Sequence, residues 1–245
     1  MSLKTFFPIL ELLESYSKDD FKKDVYAGLI VGIILVPQGM AYAMLAGLPP
    51  IHGLYAVTIP LLVYAILGTS RQLAVGPVAM DSILTASAIQ AYAVLGSHAY
   101  VETALTLALL VGIIQFLMGV FRMGFLVNFL SQPVISGFTS AAALIIMSSQ
   151  LNHLTGIDFT QKGHFLVSFT EWFHRFGETN LPTFFLAIGG VLLLIAFKEF
   201  QIPIPGALVL LLGGILITKW GNLDALGVKI LGKIPEGLPE LYLPK

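Results

Sequence analysis

The chain contains no cysteine, and only 11% of its 245 residues are charged. The first absence excludes disulfides and thiolate metal sites and leaves the redox compartment unmarked. The second says more. A soluble domain carries about 25% charged residues, so this chain has too few to face water on all sides. The formal net charge is −1 at pH 7, which argues against nucleic acid as a partner, because phosphate binding needs an excess of Lys and Arg. The five histidines are expected outside the apolar runs and show no ligand spacing, so neither a metal nor a cofactor is implied. Nucleophile–base constellations are also missing, which speaks against an enzyme carried on membrane anchors. The opening "MSLKTFFPILELLESYSKDDFKKD" is too acidic for a cleaved signal peptide and lacks an apolar core beside a small-residue cleavage site.

Apolar residues are abundant instead: 56% of the chain, with a mean hydropathy of +0.87. About 20 apolar residues in helical form cross a hydrocarbon core about 30 Å thick. Runs at 26–46, 53–68, 76–95, 103–121, 125–150, 181–198 and 204–220 meet or approach that length. The reading is an all-α polytopic membrane protein. Residues 1–24 read as an amphipathic segment at the membrane surface. Residues 151–180 hold charges, His153, His164, His174, Trp172 and Phe173, and read as an extramembrane loop with an interfacial amphipathic helix. The tail 221–245 is rich in Gly and Pro, with no span after it. Lys4, Lys18, Lys22, Lys23, Arg71, Arg122 and Lys198 would share one side, and Lys162, Arg175 and the remaining cations the other. The cluster beside the first span sets the orientation, which places the N-terminus in the cytoplasm of a cell-membrane protein and the tail outside.

The third run, "GTSRQLAVGPVAMDSILTASAIQAYAVLG", differs from the others. If "QLAV" is extended at about 3.3 Å per residue, it carries the chain roughly 16 Å inward, about half the core. Gly76 and Pro77 then suit a helix start near the midplane, with proline at the first helical position. Such an end points unpaired N–H groups and a positive dipole into the protein, which suits an anion. An ordinary span with a Gly-Pro kink is the competing reading. The first span, "VPQGMAYAMLAGLPPIHGLY", carries Pro37, which breaks a backbone hydrogen bond. Gln38 and Tyr42 lie one turn apart on one face and form a polar patch with an aromatic wall. They either line a ligand or join neighbouring helices. Gly28 and Gly32 form a pair suited to close packing, and Ser136, Thr139, Ser140, Ser148, Ser149 and Gln150 suit contacts between helices. Asp81 is the carboxylate expected inside a span. It either has a coupling role, by proton or cation, or is a helix-start carboxylate held by the dipole or one paired elsewhere in the fold.

These two stretches, "VPQGMAYAMLAGLPPIHGLY" and "GTSRQLAVGPVAMDS", resemble the signature of the SulP/SLC26 anion transporters, the sulfate permease family. "FRMGFLVNFLSQPVISGFTSAAALII" and "IPIPGALVLLLGGIL" also match that family's later spans. The resemblance implies seven plus seven inverted spans, with the anion between the N-terminal ends of the two half-helices of spans three and ten. On this chain it places Gln38 and Tyr42 in the anion site, with Val78 and the backbone amides of Ala79 and Met80 opposite. Residues 25–122 would be core-domain spans one to four, and 123–220 gate-domain spans five to seven. The expected function is secondary active transport of an inorganic anion, sulfate first. The alternatives are bicarbonate, chloride or dicarboxylate transport, or a membrane fragment that transports only with a partner chain. The implied partners are the anion, the bilayer, a second repeat with a STAS domain, and a second copy in a homodimer. The second repeat and the STAS domain are missing from these residues. Some relatives carry a carboxylate where Gln38 stands, which leaves Asp81 as the better coupling candidate.

Overall fold

Ser17 decides where the first long helix begins. Its hydroxyl accepts from the Asp20 N–H at 3.1 Å while the Asp20 carboxylate accepts from the Ser17 N–H at 3.1 Å, a reciprocal capping box. The helix therefore starts at Lys18, ahead of the apolar run at 26. The computed structural model describes residues 7–70, 73–129, 131–157, 165–202, 204–232 and 237. Lys4, Arg71, Gln72, Lys162, His164 and nearly all of the tail beyond 232, which entered the sequence reading, lie outside them.

The described residues form nine α-helices and no strand: α1 (Ile9–Glu14), α2 (Lys18–Leu45), α3 (Pro50–Leu67), α4 (Ala79–Gln90), α5 (His98–Val120), α6 (Gln132–Thr155), α7 (Phe165–His174), α8 (Leu181–Glu199) and α9 (Gly206–Trp220). Of these, α2, α3, α5, α6 and α8 are long and apolar enough to cross a membrane. At 28 residues α2 is about 42 Å long, more than the core needs, so its charged first turns extend beyond the hydrocarbon. The third and seventh runs give shorter helices of 12 and 15 residues, about 18 and about 22 Å.

The chain divides into two compact units, one built on residues up to Ala104 and the other on Leu105–Gly232, with the boundary inside α5. In the first unit α2 packs chiefly on α3 and also on α4. Between α2 and α3 the chain reverses at "AGLPP". Gly47, at φ +75°, ends α2 in a left-handed turn. Its N–H bonds the Met44 carbonyl at 2.9 Å and the Leu48 N–H bonds that of Ala43 at 2.9 Å. Pro50 then opens α3 at the first helical position, where it loses no useful donor. The two helices cross where Gly39 meets Gly53. A methyl at Gly39 would lie 2.7 Å from Val57 Cγ1, and one at Gly53 would overlap the Gly39 carbonyl oxygen. The close approach is thus at Gly39 and Gly53. Gly28 and Gly32, expected to pack closely, face open space within these residues.

In the second unit α6 packs on α7 and α8, and α8 on α9. Asn180 joins three segments there. Its N–H donates to the Thr155 carbonyl at the end of α6 at 2.9 Å, its side-chain oxygen caps α8 at Thr183 N at 2.9 Å, and its amide nitrogen donates to the Leu226 carbonyl at 2.9 Å. The amphipathic helix expected in 151–180 is α7. Phe169 and Phe173 are exposed on it, and Trp172 lies between the rings of Phe169 and Phe176 at 5.8 and 5.2 Å. Beyond α7, the Arg175 guanidinium donates to Glu178 and holds that carboxyl below its ordinary pKa. Ser148 and Ser149 are buried, but their hydroxyls turn back to the Ile145 and Ile146 carbonyls of α6 itself; Ser136, Thr139 and Ser140 are exposed. His52, His98 and His153 lie in the end turns of α3, α5 and α6, just outside the apolar runs.

Candidate functional site at the start of the short helix

The broken third span is visible in the backbone. Residues 73–78 are non-helical, and α4 begins at Ala79 with Val78 as its N-cap in extended conformation (φ −125°, ψ 152°). The helix thus starts two residues beyond Pro77, and Gly76 and Pro77 lie in the lead-in. Gly76, as the residue before proline, is pushed out of the α region, and Val78 continues the extended stretch to the helix start. Gly76 lies against α2, where a methyl on it would be 3.9 Å from Leu35 Cδ2. The lead-in therefore passes α2 one turn before Gln38.

At its start α4 has no side-chain cap. The first helical bond is the Ser82 N–H to the Val78 carbonyl at 3.1 Å, and the Ser82 hydroxyl reinforces that carbonyl at 3.0 Å. The N–H groups of Val78, Ala79, Met80 and Asp81 have no intrahelical acceptor. Val78 is 48% exposed and carries no oxygen that competes for them. Chemically this end is a cluster of donors at a positive dipole terminus.

Gln38 is exposed and Tyr42 half-buried on α2, the helix that packs against α4. Pro37 leaves the Ile33 carbonyl without its usual donor, so the backbone beside Gln38 is polar as well. Asp81, expected to be buried, is exposed within these residues. It sits at the third helical position, where a carboxylate is favoured by the helix dipole, and no neighbouring element of the first unit covers it. A separate cavity of about 700 Å³ lies between α1, the start of α2 and the end of α3. Glu11, Asp20 and Asp24 line it, so its sign suits no anion. There the Tyr16 hydroxyl donates to Asp24 at 2.5 Å, which raises the phenol above its ordinary pKa.

Three residues that organise the site were not singled out from sequence. Gly39 and Gly53 set how closely α3 approaches the turn carrying Gln38 and Tyr42. Tyr100 is completely buried, and its hydroxyl donates to the Ala46 carbonyl at 2.8 Å. The "AGLPP" turn was a local signal for the first helix end. Tyr100 and Gly53 act across distance in the chain, and one sequence holds no local signal for them.

The profile of the sulfate permease family matches residues 21–245. The chain is 38% identical to the chloroplastic sulfate transporter 4.1 of Arabidopsis thaliana, over 99% of this chain and 36% of that protein. It is 39% identical to the probable sulfate transporter MT1781 of Mycobacterium tuberculosis, over 94% of this chain and 41% of the other. A solved structure of the murine anion transporter Slc26a9 in the inward-facing state superposes with a TM-score of 0.84 at 29% identity, covering 98% of this chain and 44% of that one. The chain spans about two-fifths of the length of the curated relatives it matches. The matched family is one of membrane transporters rather than enzymes, and the fold is that of the Slc26a9 structure. Both signature stretches fall inside the matched residues, and the chain that carries them belongs to the sulfate permease, or SulP/SLC26, family.

Proposed function

We propose that this chain supplies the N-terminal half of a secondary active transporter for inorganic anions, with sulfate the first candidate substrate. The observation that carries the reading is the uncapped start of α4 beside α2: free N–H donors at Val78 to Asp81 next to the helix that presents Gln38 and Tyr42. A doubly charged oxyanion gains most from such donors, because hydrogen bonds to a charged acceptor are about twice as strong as neutral ones. In this reading Gln38 and Tyr42 contribute neutral donors, Val78, Ala79 and Met80 the backbone face, and Asp81 the coupling group. The names of the Arabidopsis and Mycobacterium relatives support sulfate. The N-terminus is cytoplasmic, because Lys18, Lys22 and Lys23 adjoin the first span. The inverted second repeat and a STAS domain complete the transporter, and a second copy pairs with it.

The test is uptake by proteoliposomes holding the native protein, with any C-terminal continuation or partner chain retained. Labelled sulfate, chloride, bicarbonate and a dicarboxylate are offered with and without pH and sodium gradients. Sulfate uptake that saturates and is competed by unlabelled sulfate is expected. Saturable uptake of another anion with none of sulfate reassigns the substrate, and uptake of none refutes transport.

A further inference from the structure

We propose that Tyr100 is a positioning residue that holds α2 and α4 at the separation the anion requires. The inference rests on the reading of Gln38, Tyr42 and the start of α4 as the anion site. Tyr100 itself lies at the far ends of those helices, so it acts through them.

The hydrogen-bonded path is continuous. The Ala46 N–H donates to the Tyr42 carbonyl at 3.0 Å, and the Ala46 carbonyl accepts from the Tyr100 hydroxyl at 2.8 Å. Ala46 is the C-cap of α2, where a carbonyl lacks an intrahelical donor. It is buried, so water does not replace the phenol. On its other side Tyr100 joins the turn that leaves α4: its N–H donates to Ser97, the Ser97 hydroxyl donates to the Val94 carbonyl at 2.6 Å, and the Ala93 N–H donates to the Ile89 carbonyl of α4 at 2.9 Å. One buried tyrosine thereby ties the end of α2 to the turn that follows α4.

The surroundings are shaped around that ring. Gly47 ends α2 at φ +75°, and a methyl there would lie 2.6 Å from the Tyr100 hydroxyl oxygen and 2.6 Å from Leu95 Cδ1. Glycine thus serves both the turn and the clearance. The Tyr100 backbone is fixed as well: its N–H donates to the Ser97 hydroxyl at 3.2 Å and to the Ser97 carbonyl at 3.1 Å. A site divided between two elements works only if both are held within about 0.5 Å of the productive geometry. Without the phenol, α2 and α4 keep their packing but lose the polar tie at their shared end.

The experiment introduces paired spin labels at Val36 on α2 and Leu84 on α4, both exposed. Residues 1–245 contribute no competing cysteine. In the native protein in nanodiscs, the inter-label distance distribution is compared for the parent, Tyr100→Phe and Ser97→Ala. Tyr100→Phe keeps the ring and removes only the hydroxyl; Ser97→Ala, which removes the hydroxyl that accepts from the Tyr100 N–H, is the second variant should the first fold poorly. We expect a narrow parent distribution that broadens or shifts in both. The KM for sulfate should rise roughly threefold to tenfold, the scale of one hydrogen bond, with the maximal rate within about twofold, whereas a general loss of folded protein lowers the rate and leaves KM alone. An unchanged distribution in the folded variants overturns the positioning role. A broadened distribution in a protein whose parent form binds no anion upholds the tie and overturns the site reading instead.

Discussion

Gln38 is neutral, and that neutrality is where the residue scale becomes testable. A carboxylate about 4 Å from an anion is repelled by about 4 kcal/mol at an effective dielectric of 20, against about 1 in bulk water. Gln38→Glu should therefore weaken sulfate binding at least tenfold near pH 8, and binding should recover only as the pH falls to the new carboxyl's reference pKa of about 4.3 and below, where it takes up its proton. Titration calorimetry across that range checks it, and an affinity equal to the parent at every pH removes Gln38 from the cavity. Asp81 bears the second prediction. If it carries the coupling proton, Asp81→Asn abolishes the pH dependence of uptake and leaves anion exchange running. Uptake that stays as pH-dependent as in the parent reduces Asp81 to a helix-start carboxylate, a role that its exposed third helical position also fits. Gln38, Tyr42 and the "GPVA" stretch could be singled out in sequence because they lie in two contiguous signatures, and the break ahead of α4 is present there. The exposure of Asp81 was not legible in sequence, because burial depends on what packs against it.

Elements were legible in order and kind, and less so at their ends. All seven apolar runs yield helix, yet α2 begins eight residues before its run because of a polar capping box, and α4 begins two residues after its proline. Periodicity locates the apolar stretch, while caps set the boundaries. The crossing of α2 and α3 was hidden because Gly39 and Gly53 are 14 positions apart and neither is marked locally. This crossing gives a sharp comparison. Gly53→Ala gains up to about 1 kcal/mol of helix propensity, but its methyl would overlap the Gly39 carbonyl. Overpacking costs about 1–3 kcal/mol, and a backbone oxygen moves less readily than a side chain, so the clash wins. Gly28→Ala gains the same propensity with nothing within 4 Å. Thermal unfolding in detergent should show a lower midpoint for Gly53→Ala and an equal or higher one for Gly28→Ala. Equal midpoints for the two would mean that the helices do not cross at Gly53.

At the scale of the molecule, the apolar helices are nearly bare. Of the most apolar window in each span, 17% is buried in α2 and in α6, 11% in α3, 6% in α5 and none in α8. Lipid can cover apolar side chains, but not the four N–H groups at the start of α4. An unpaired polar backbone group in hydrocarbon costs several kcal/mol, so that end needs protein, water or an anion around it. The family architecture implies a second half-helix facing it from an inverted repeat. Copies of this chain in one orientation do not recreate that partner if, as proposed, the axis relating the repeats lies in the membrane plane. A protein made of these 245 residues alone should therefore insert, yet bind no anion between paired helix ends and move none. The measurement is flux of sulfate, chloride and bicarbonate into liposomes holding the purified 245-residue chain, beside the same chain co-reconstituted with the C-terminal spans of a sulfate transporter. Background flux from the first and saturable flux from the second are expected. Saturable uptake by the chain alone would show that one half-helix suffices, and the paired-terminus mechanism would fall with it.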